Sequence, residues 1–344
     1  MRSAKSIGLV VLLLLLIAFP FVIPDPAITT VAVFTLLYAT AASGWNIFSG
    51  YTGYIALGHA AYFGIGSYTV ALLCQGLNVP GGYLPFLLIP VAGLVAALFA
   101  VPFGWIALRT RRHTFVVITI AIFFIMQLMA YNLRGLTGGS SGLNLPVPPP
   151  DWTGAFFNQP FYFVALVLFL LTFGVSWWIR NSKYGLGLLA IRDDEDRALG
   201  LGVKTEMLKL SSFVLSALFV GMVGALHAYF QGSIFPPFAF DPLFDVVVAL
   251  MAFLGGIGTL VGPVLGALIL EPTQQYFTLQ FGANGYYLII YGILFLVIIL
   301  LLPEGIIPSA RKYWFRWSLA RSKAAGQAET GLTDGVGSQK DGGL

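Results

Sequence analysis

Long apolar runs, broken at intervals by glycine, proline or a knot of charge, fill most of the 344-residue chain. A helix needs about 20 such residues to cross ~30 Å of hydrocarbon, whereas a membrane β-barrel strand shows two-residue alternation over about 10. The runs here have the helical length and lack the alternation. They predict helices at approximately 7–23, 27–48, 54–77, 84–108, 114–133, 160–180, 208–230, 243–258, 262–280 and 284–302. The expected fold is all-α, a polytopic membrane protein of about ten transmembrane helices.

Composition agrees: 58% of residues are hydrophobic, 9% are charged and the mean hydropathy is +0.87, against roughly a quarter charged in a soluble domain. The single cysteine, Cys74, excludes an internal disulfide, and no Cys/His spacing suggests a metal site. The N-terminus imitates a signal peptide, with Arg2 and Lys5 ahead of an apolar core. Pro20, Pro24 and Pro26 stand where a cleavage site would be, so an uncleaved first helix is expected. Residues 1–317 form the expected transmembrane domain, and 318–344, rich in Gly, Ser, Ala and Gln, read as a disordered cytoplasmic tail.

Charge placement sets the expected orientation. On a ten-span path, all 18 Lys and Arg except Arg134 fall on one side, which the positive-inside rule makes the cytoplasm. Both termini and the loop 184–206 are then cytoplasmic, and the loop 134–159 is external. Five spans before and five after that external loop enter from opposite sides, the arrangement of an inverted five-plus-five repeat. Trp177, Trp178, Trp314 and Trp317 read as interfacial anchors, and Arg311, Lys312, Arg316, Arg321 and Lys323 as contacts to anionic membrane lipids. No accompanying domain supports a nucleic-acid role.

Two Gly-rich segments at membrane depth, 50–69 and 255–269, interrupt the helical pattern. Irregular backbone there is tolerated only where protein covers it or it lines a wet cavity. Gly50, Gly53, Gly58, Gly64, Gly255, Gly256, Gly258 and Gly262 are therefore candidates for broken helices or a translocation path, and Gly262 with Gly266 makes a GxxxG pair. Tight helix packing is the alternative for each glycine taken singly. His59, Asp245 and Glu271 join the candidates, because ionisable groups in apolar spans are expensive. His59 could bond the backbone of a broken helix or line the path. Asp245 is expected to cap the span it begins; Glu271, before Pro272, to hold an interrupted helix or face a wet vestibule. His227 is placed near the external interface.

The stretch Ala190–Leu210 is unlike the rest, with six consecutive charges at 192–197. Asp193 could cap a short helix there, with Asp194, Glu195 and Asp196 near its positive end and Gly200 and Gly202 as its stop. Ala190, Ile191, Ala198 and Leu199 would leave a small apolar surface for a partner. A solvated surface helix is the other reading. No GxxxxGK[ST] phosphate loop occurs; the nearest string, GLGVKT at 200–205, has Val203 between glycine and lysine.

SGYTGYIALGHAAYFGIGSYTVALL, AIRDDEDRALGLGV, MAFLGGIGTLVGPVLGA and the later LPEGI, in that order between about 45 and 307, resemble the membrane permease of branched-chain amino acid ABC importers, the LivM type. The resemblance implies a subunit of about ten spans in the bacterial inner membrane, partnered by a second related permease (LivH type), two cytoplasmic ABC ATPases and a periplasmic solute-binding protein. It implies no enzymatic activity and no cofactor on this chain, ATP and Mg belonging to the partner ATPases. It maps a coupling helix onto Ala190, Arg192, Asp194, Glu195, Ala198, Leu199 and Gly200. The cargo expected is branched-chain or other hydrophobic amino acids. Alternatives are a urea or simple-sugar ABC permease, or an ATP-independent channel or carrier; an intramembrane enzyme is disfavoured because no paired carboxylates, nucleophile-base pair or metal cluster share a helix face.

Overall fold

In the computed structural model, the described residues are 2–149, 151–152, 155–281, 289, 292–293, 296–297, 300 and 305–313. The expected tenth span and the tail lie almost wholly outside them. Helix α1, Arg2–Val22, is followed by α2, Pro26–Trp45. Asp25 starts α2 by accepting the amide of Ala27 at 2.8 Å, with Pro26 in the first turn where a missing N–H costs nothing. A wide π turn, Asn46–Gly50, extends α2 before the chain leaves helical geometry. Next come α3, His59–Gly76, α4, Leu84–Ala107, and α5, Arg112–Asn132.

The long loop after α5 has short elements of its own. It carries a one-turn α6, Arg134–Thr137, and a two-residue strand β1, Leu143–Asn144. Helix α7, Ala155–Arg180, leads to two short helices, α8, Lys183–Asp193, and α9, Glu195–Gly200. Helix α10, Thr205–Gln231, ends at strand β2, Ser233–Ile234, which pairs antiparallel with β1. A short α11, Pro236–Ala239, is followed by α12, Pro242–Gly255, and α13, Gly262–Phe281, and helical geometry recurs at 306–313. Among the described residues, six helical segments are long and apolar enough to cross a membrane: 26–50, 84–107, 112–132, 157–180, 205–231 and 236–255.

Helix α10 is central, packing against α2, α3, α4 and α7. It does so because small residues let backbones meet: a Cβ at Gly66 would strike the carbonyl of Gly221, and one at Gly224 the carbonyl of Phe63. Close approach of this kind is the main source of helix adhesion in lipid, where apolar side chains gain nothing by leaving the solvent. Helices α12 and α13 form an antiparallel pair on the same principle, Gly255 abutting Gly262 and Gly266 abutting Met251. The outward faces of α4 and α5 carry Leu87, Leu94, Leu98, Val117 and Leu128, all exposed. Such apolar faces belong against lipid or another membrane protein.

The hydrogen bonds sort the connections to two ends. At one end, Asn158 at the start of α7 bonds the carbonyl of Pro26, Gln75 reaches the carbonyl of Asn144, and Tyr229 both donates to and accepts from the backbone of Gly82. At the other, Arg112 of α5, Arg180 of α7, the loop α8–α9 and the turn between α12 and α13 converge.

Candidate functional site: a charged loop tied to two helix breaks

The first break covers residues 53–58, between the π turn and α3, and starts at Gly53 with φ +73. Six residues without helical bonds would be ruinous at membrane depth unless their polar groups were met. Side chains meet them: Ser49 Oγ accepts the Ala56 amide, Thr119 Oγ1 accepts that of Leu57, and the Trp45 indole donates to the carbonyl of Ala56 at 2.8 Å. Beyond the break, the first amides of α3 face Asp245, which accepts from Ala60 N at 3.1 and 3.2 Å. Asp245 is buried and so caps α3, not its own helix; α12 is capped by Asp241, which accepts from Leu243 N. The expectation that Asp245 caps its own span is corrected. A span's first turn offers a carboxylate to whatever helix end lies opposite, and here that is α3.

His59 is fully buried, and its Nε2 bonds Ser216 Oγ of α10 at 2.7 Å. The partner is a side chain, not the broken backbone. Asp245 fills the positive end of α3, and His59 Nδ1 is buried with no hydrogen-bond partner among the described residues. Gly58 and Gly64 are explained by contact, a Cβ at the first meeting the Thr119 carbonyl and at the second the Phe240 ring.

The second break, 256–261, joins α12 to α13 and turns at Gly256, φ +119, and Gly258, φ +75. Thr259 Oγ1 donates to Gly256 O and accepts from Gly262 N, closing the turn on itself. Two further backbone groups are taken by a side chain of the π turn. Asn46 accepts from Gly258 N at 2.8 Å and donates to Thr259 O at 2.9 Å. The π turn that leads into the first break is therefore in direct contact with the second break. Gly50 is required there, since a Cβ would run into Asn46 and the Gly258 amide.

The charged loop closes over this junction. Arg192 donates to the carbonyl of Gly50 at 2.9 Å, and Arg180 donates to that of Gly258. Arg112 of α5 holds the loop from the other side, reaching the carbonyls of Ile191 and Arg192 at 2.9 and 2.8 Å. Glu195 receives hydrogen bonds from Tyr54 of the first break and from Lys209 of α10. Burial alone would raise the Glu195 carboxyl, but those two bonds and the charges of Lys209 and Arg112 outweigh it and hold its pKa below the ordinary value.

The loop differs from the single helix expected. Asp194, extended at φ −158, separates α8 from α9 and caps α9 by accepting from Arg197 N at 3.0 Å, while Asp193 is the last residue of α8. Gly202, φ +84, supplies the stop; Gly200 is still helical. Ile191 and Ala198 point inward at 0% and 2% exposure, and Ala190 is partly buried, so the outward apolar surface is Leu199 with Leu201. The amphipathic face turned toward the molecule because Arg112, Tyr54 and Lys209 pull the loop down.

Glu271 is buried in α13, its Oε1 accepting from Gln275 at 2.9 Å, and its Oε2 has no partner among the described residues. Helix α13 runs through Pro272 without a break, contrary to the interrupted helix expected. His227 packs between the rings of Phe34 and Phe63 and lines a cavity of about 370 Å³ with Tyr38, Gln231, Asp241 and Phe244. That cavity lies at the β1–β2 end. At the loop end a second cavity of about 450 Å³ is lined by Tyr54, Arg109, Glu195, Leu199, Lys204 and Lys209, among others.

Asn46, Tyr54, Arg112, Arg180 and Lys209 were not singled out from sequence for this junction. Asn46 and Lys209 carried a readable signal, each a lone strongly polar residue at or inside an apolar run. Tyr54 and Arg180 did not stand out from interfacial neighbours.

A family model described as the permease component of branched-chain amino acid transport systems matches residues 27–299. The high-affinity branched-chain amino acid transport system permease protein LivM of Escherichia coli K12 is 28% identical over 332 residues, covering 89% of this chain and 76% of that protein. The corresponding LivH protein of Salmonella typhimurium LT2 is 27% identical over 282 residues, covering 78% of this chain and 91% of that protein. No solved structure matches. The matched region contains both breaks and the loop that ties them, and the chain belongs to the family of branched-chain amino acid transport permease components.

Proposed function

We propose that the chain is one permease subunit of an ATP-driven importer that moves branched-chain or other hydrophobic amino acids across the bacterial inner membrane by alternating access. Its partners in this reading are a second, LivH-type permease, two cytoplasmic ATPases and a periplasmic solute-binding protein; ATP and Mg act on the ATPases. The ten-span course with an inverted five-plus-five repeat, and cytoplasmic termini, belong to the same reading. The observation that carries it is the tie between the charged loop and the broken helices, through Glu195 to Tyr54 of the first break and Arg192 to Gly50 of the π turn, from which Asn46 reaches Gly258 of the second. A loop joined to the broken helices is what transmission of a movement from outside the membrane requires, whereas a solvated connector needs no such bonds.

Leu199 and Leu201 present the apolar contact an ATPase groove would take, and Arg197 and Asp196 flank it in solvent. The family membership and the names of the relatives support the cargo. The experiment is uptake of leucine, isoleucine and valine into liposomes holding the whole complex with its binding protein and ATP. ATP-dependent accumulation of these amino acids is expected. A binding protein that takes urea or a pentose and ignores amino acids in calorimetry would move the cargo to another branch; uptake without the ATPases would make the chain a carrier or channel.

A further inference from the structure

Among the described residues, Arg180 and Arg192 have no carboxylate within ion-pair distance; the ion pairs found are Arg197 with Asp194 and Lys209 with Glu195. Their guanidinium groups are instead spent on carbonyls at the C-terminal ends of two helices. Arg192 bonds Gly50 O, where α2 ends in its π turn, and Arg180 bonds Gly258 O, just past the end of α12. A helix C-terminus carries partial negative charge, so each cation is stabilised there, but far less than in a buried ion pair. Asn46 sits between them and grips the second break with both amide atoms.

The packing leaves no substitute for these bonds. A Cβ at Gly53 would press on Arg192 Cγ at 3.0 Å, and one at Gly258 would overlap the Arg192 guanidinium. Glycine at both positions makes room for this one side chain. The contact is thus closely fitted yet made only of charge–carbonyl and amide bonds, the kind that a rigid-body shift of a few ångströms can break and remake without separating opposite charges. Arg192 is carried by α8, Arg180 by the end of α7, and Asn46 by α2, so three elements must move apart for the junction to open.

We propose that Asn46, Arg180 and Arg192 form a releasable latch that holds the end of α2, where the chain enters the first break, against the second break at the loop end, and that displacement of α8–α9 withdraws Arg192 and opens the passage on that side. The inference rests on the transport reading above and adds to it the positioning residues Asn46 and Arg180, which both grip the second break. In the conformation described here the latch is closed.

The test uses the whole complex, in a Cys74→Ser background. Thr52, fully buried beside the first break, is changed to cysteine as a reporter. In the otherwise unaltered complex this thiol stays protected from an impermeant reagent in detergent. With Asn46→Ala or Arg180→Gln it reacts roughly tenfold faster, the size of a modest shift in a two-state population. In liposomes the same two variants keep ATP hydrolysis stimulated by the binding protein within about twofold, and lose roughly tenfold in solute taken up per ATP. Arg180→Lys, at matched membrane levels, restores most of both. If thiol protection and the uptake-per-ATP ratio are both unchanged, or if protection falls while the ratio stays at the parental value, the latch is overturned and the residues are a static brace. If the parent moves no amino acid but the reporter responds to both variants, the transport reading fails while the latch stands.

Discussion

Glu195 shows how much one carboxylate can be asked to hold. It joins the loop to the first break through Tyr54 and to α10 through Lys209, whose side chain is 4% exposed against 25% for Glu195. An exposed pair contributes under about 1 kcal/mol, and breaking a fully buried one costs roughly 3–5. Glu195→Gln, which leaves Lys209 unpaired but keeps the Tyr54 contact, should therefore cost roughly 2 kcal/mol in the purified protein. The double variant Glu195→Gln with Lys209→Met should recover part of that loss, a coupling that a thermal-melt cycle would read. The folded-state pKa of Glu195 is lowered, so its stabilisation is complete above the unfolded value of about 4.3 and is lost as pH falls through the lower folded value. The melting gap between parent and Glu195→Gln should be constant near neutral pH and close below about pH 4; a gap that grows on acidification would contradict the assignment. From sequence, Glu195 and Arg192 stood out because charge is rare in this chain. Asn46 was visible as a lone amide in an apolar span, but its role was not, because such an amide looks the same whether it faces a partner or not, and its partners lie more than two hundred positions away.

At the scale of helices, hydrophobic runs located the elements well, since the bilayer fixes their length. They could not locate the beginning of α3, predicted at 54 and found at His59, because the residues between are as apolar as a helix while their amides are satisfied by side chains. Glycine spacing signalled close packing but not between which helices. The structure specifies it: Gly66→Leu would drive a side chain into the Gly221 backbone and part α3 from α10, whereas Gly135→Leu meets open space. The first should cost at least 1–3 kcal/mol, roughly, and reduce the folded protein recovered in mild detergent, with the second near parental yield. Asp245→Ala removes the cap of α3 and should cost about 1 kcal/mol, measured the same way. If Asp245→Ala melts like the parent, the cap is a contact without energetic weight.

For the whole molecule, the opposite ends marked by Arg192 and by the β1–β2 pair make sidedness testable. With Cys74→Ser as background, a cysteine at Ser140, which is exposed beside β1, should label in intact cells with an impermeant reagent, and one at Lys183, exposed at the start of α8, should label only after permeabilisation. The reverse pattern would invert the orientation read from the basic residues. The sequence offers a reading of sidedness because the basic residues fall almost wholly on one side of the ten-span path, and the labelling decides it. The small ladder was not legible, since two-residue strands leave no periodic trace. Its partners, Leu143↔Ile234 and Asn144↔Ser233, are separated in the chain by α7, the charged loop and α10. During synthesis, then, Leu143 has no strand partner until α10 and the residues after it have been made. The ladder is among the last contacts this half of the chain can make, and its closure reports that the preceding helices have been inserted in the right order and hand.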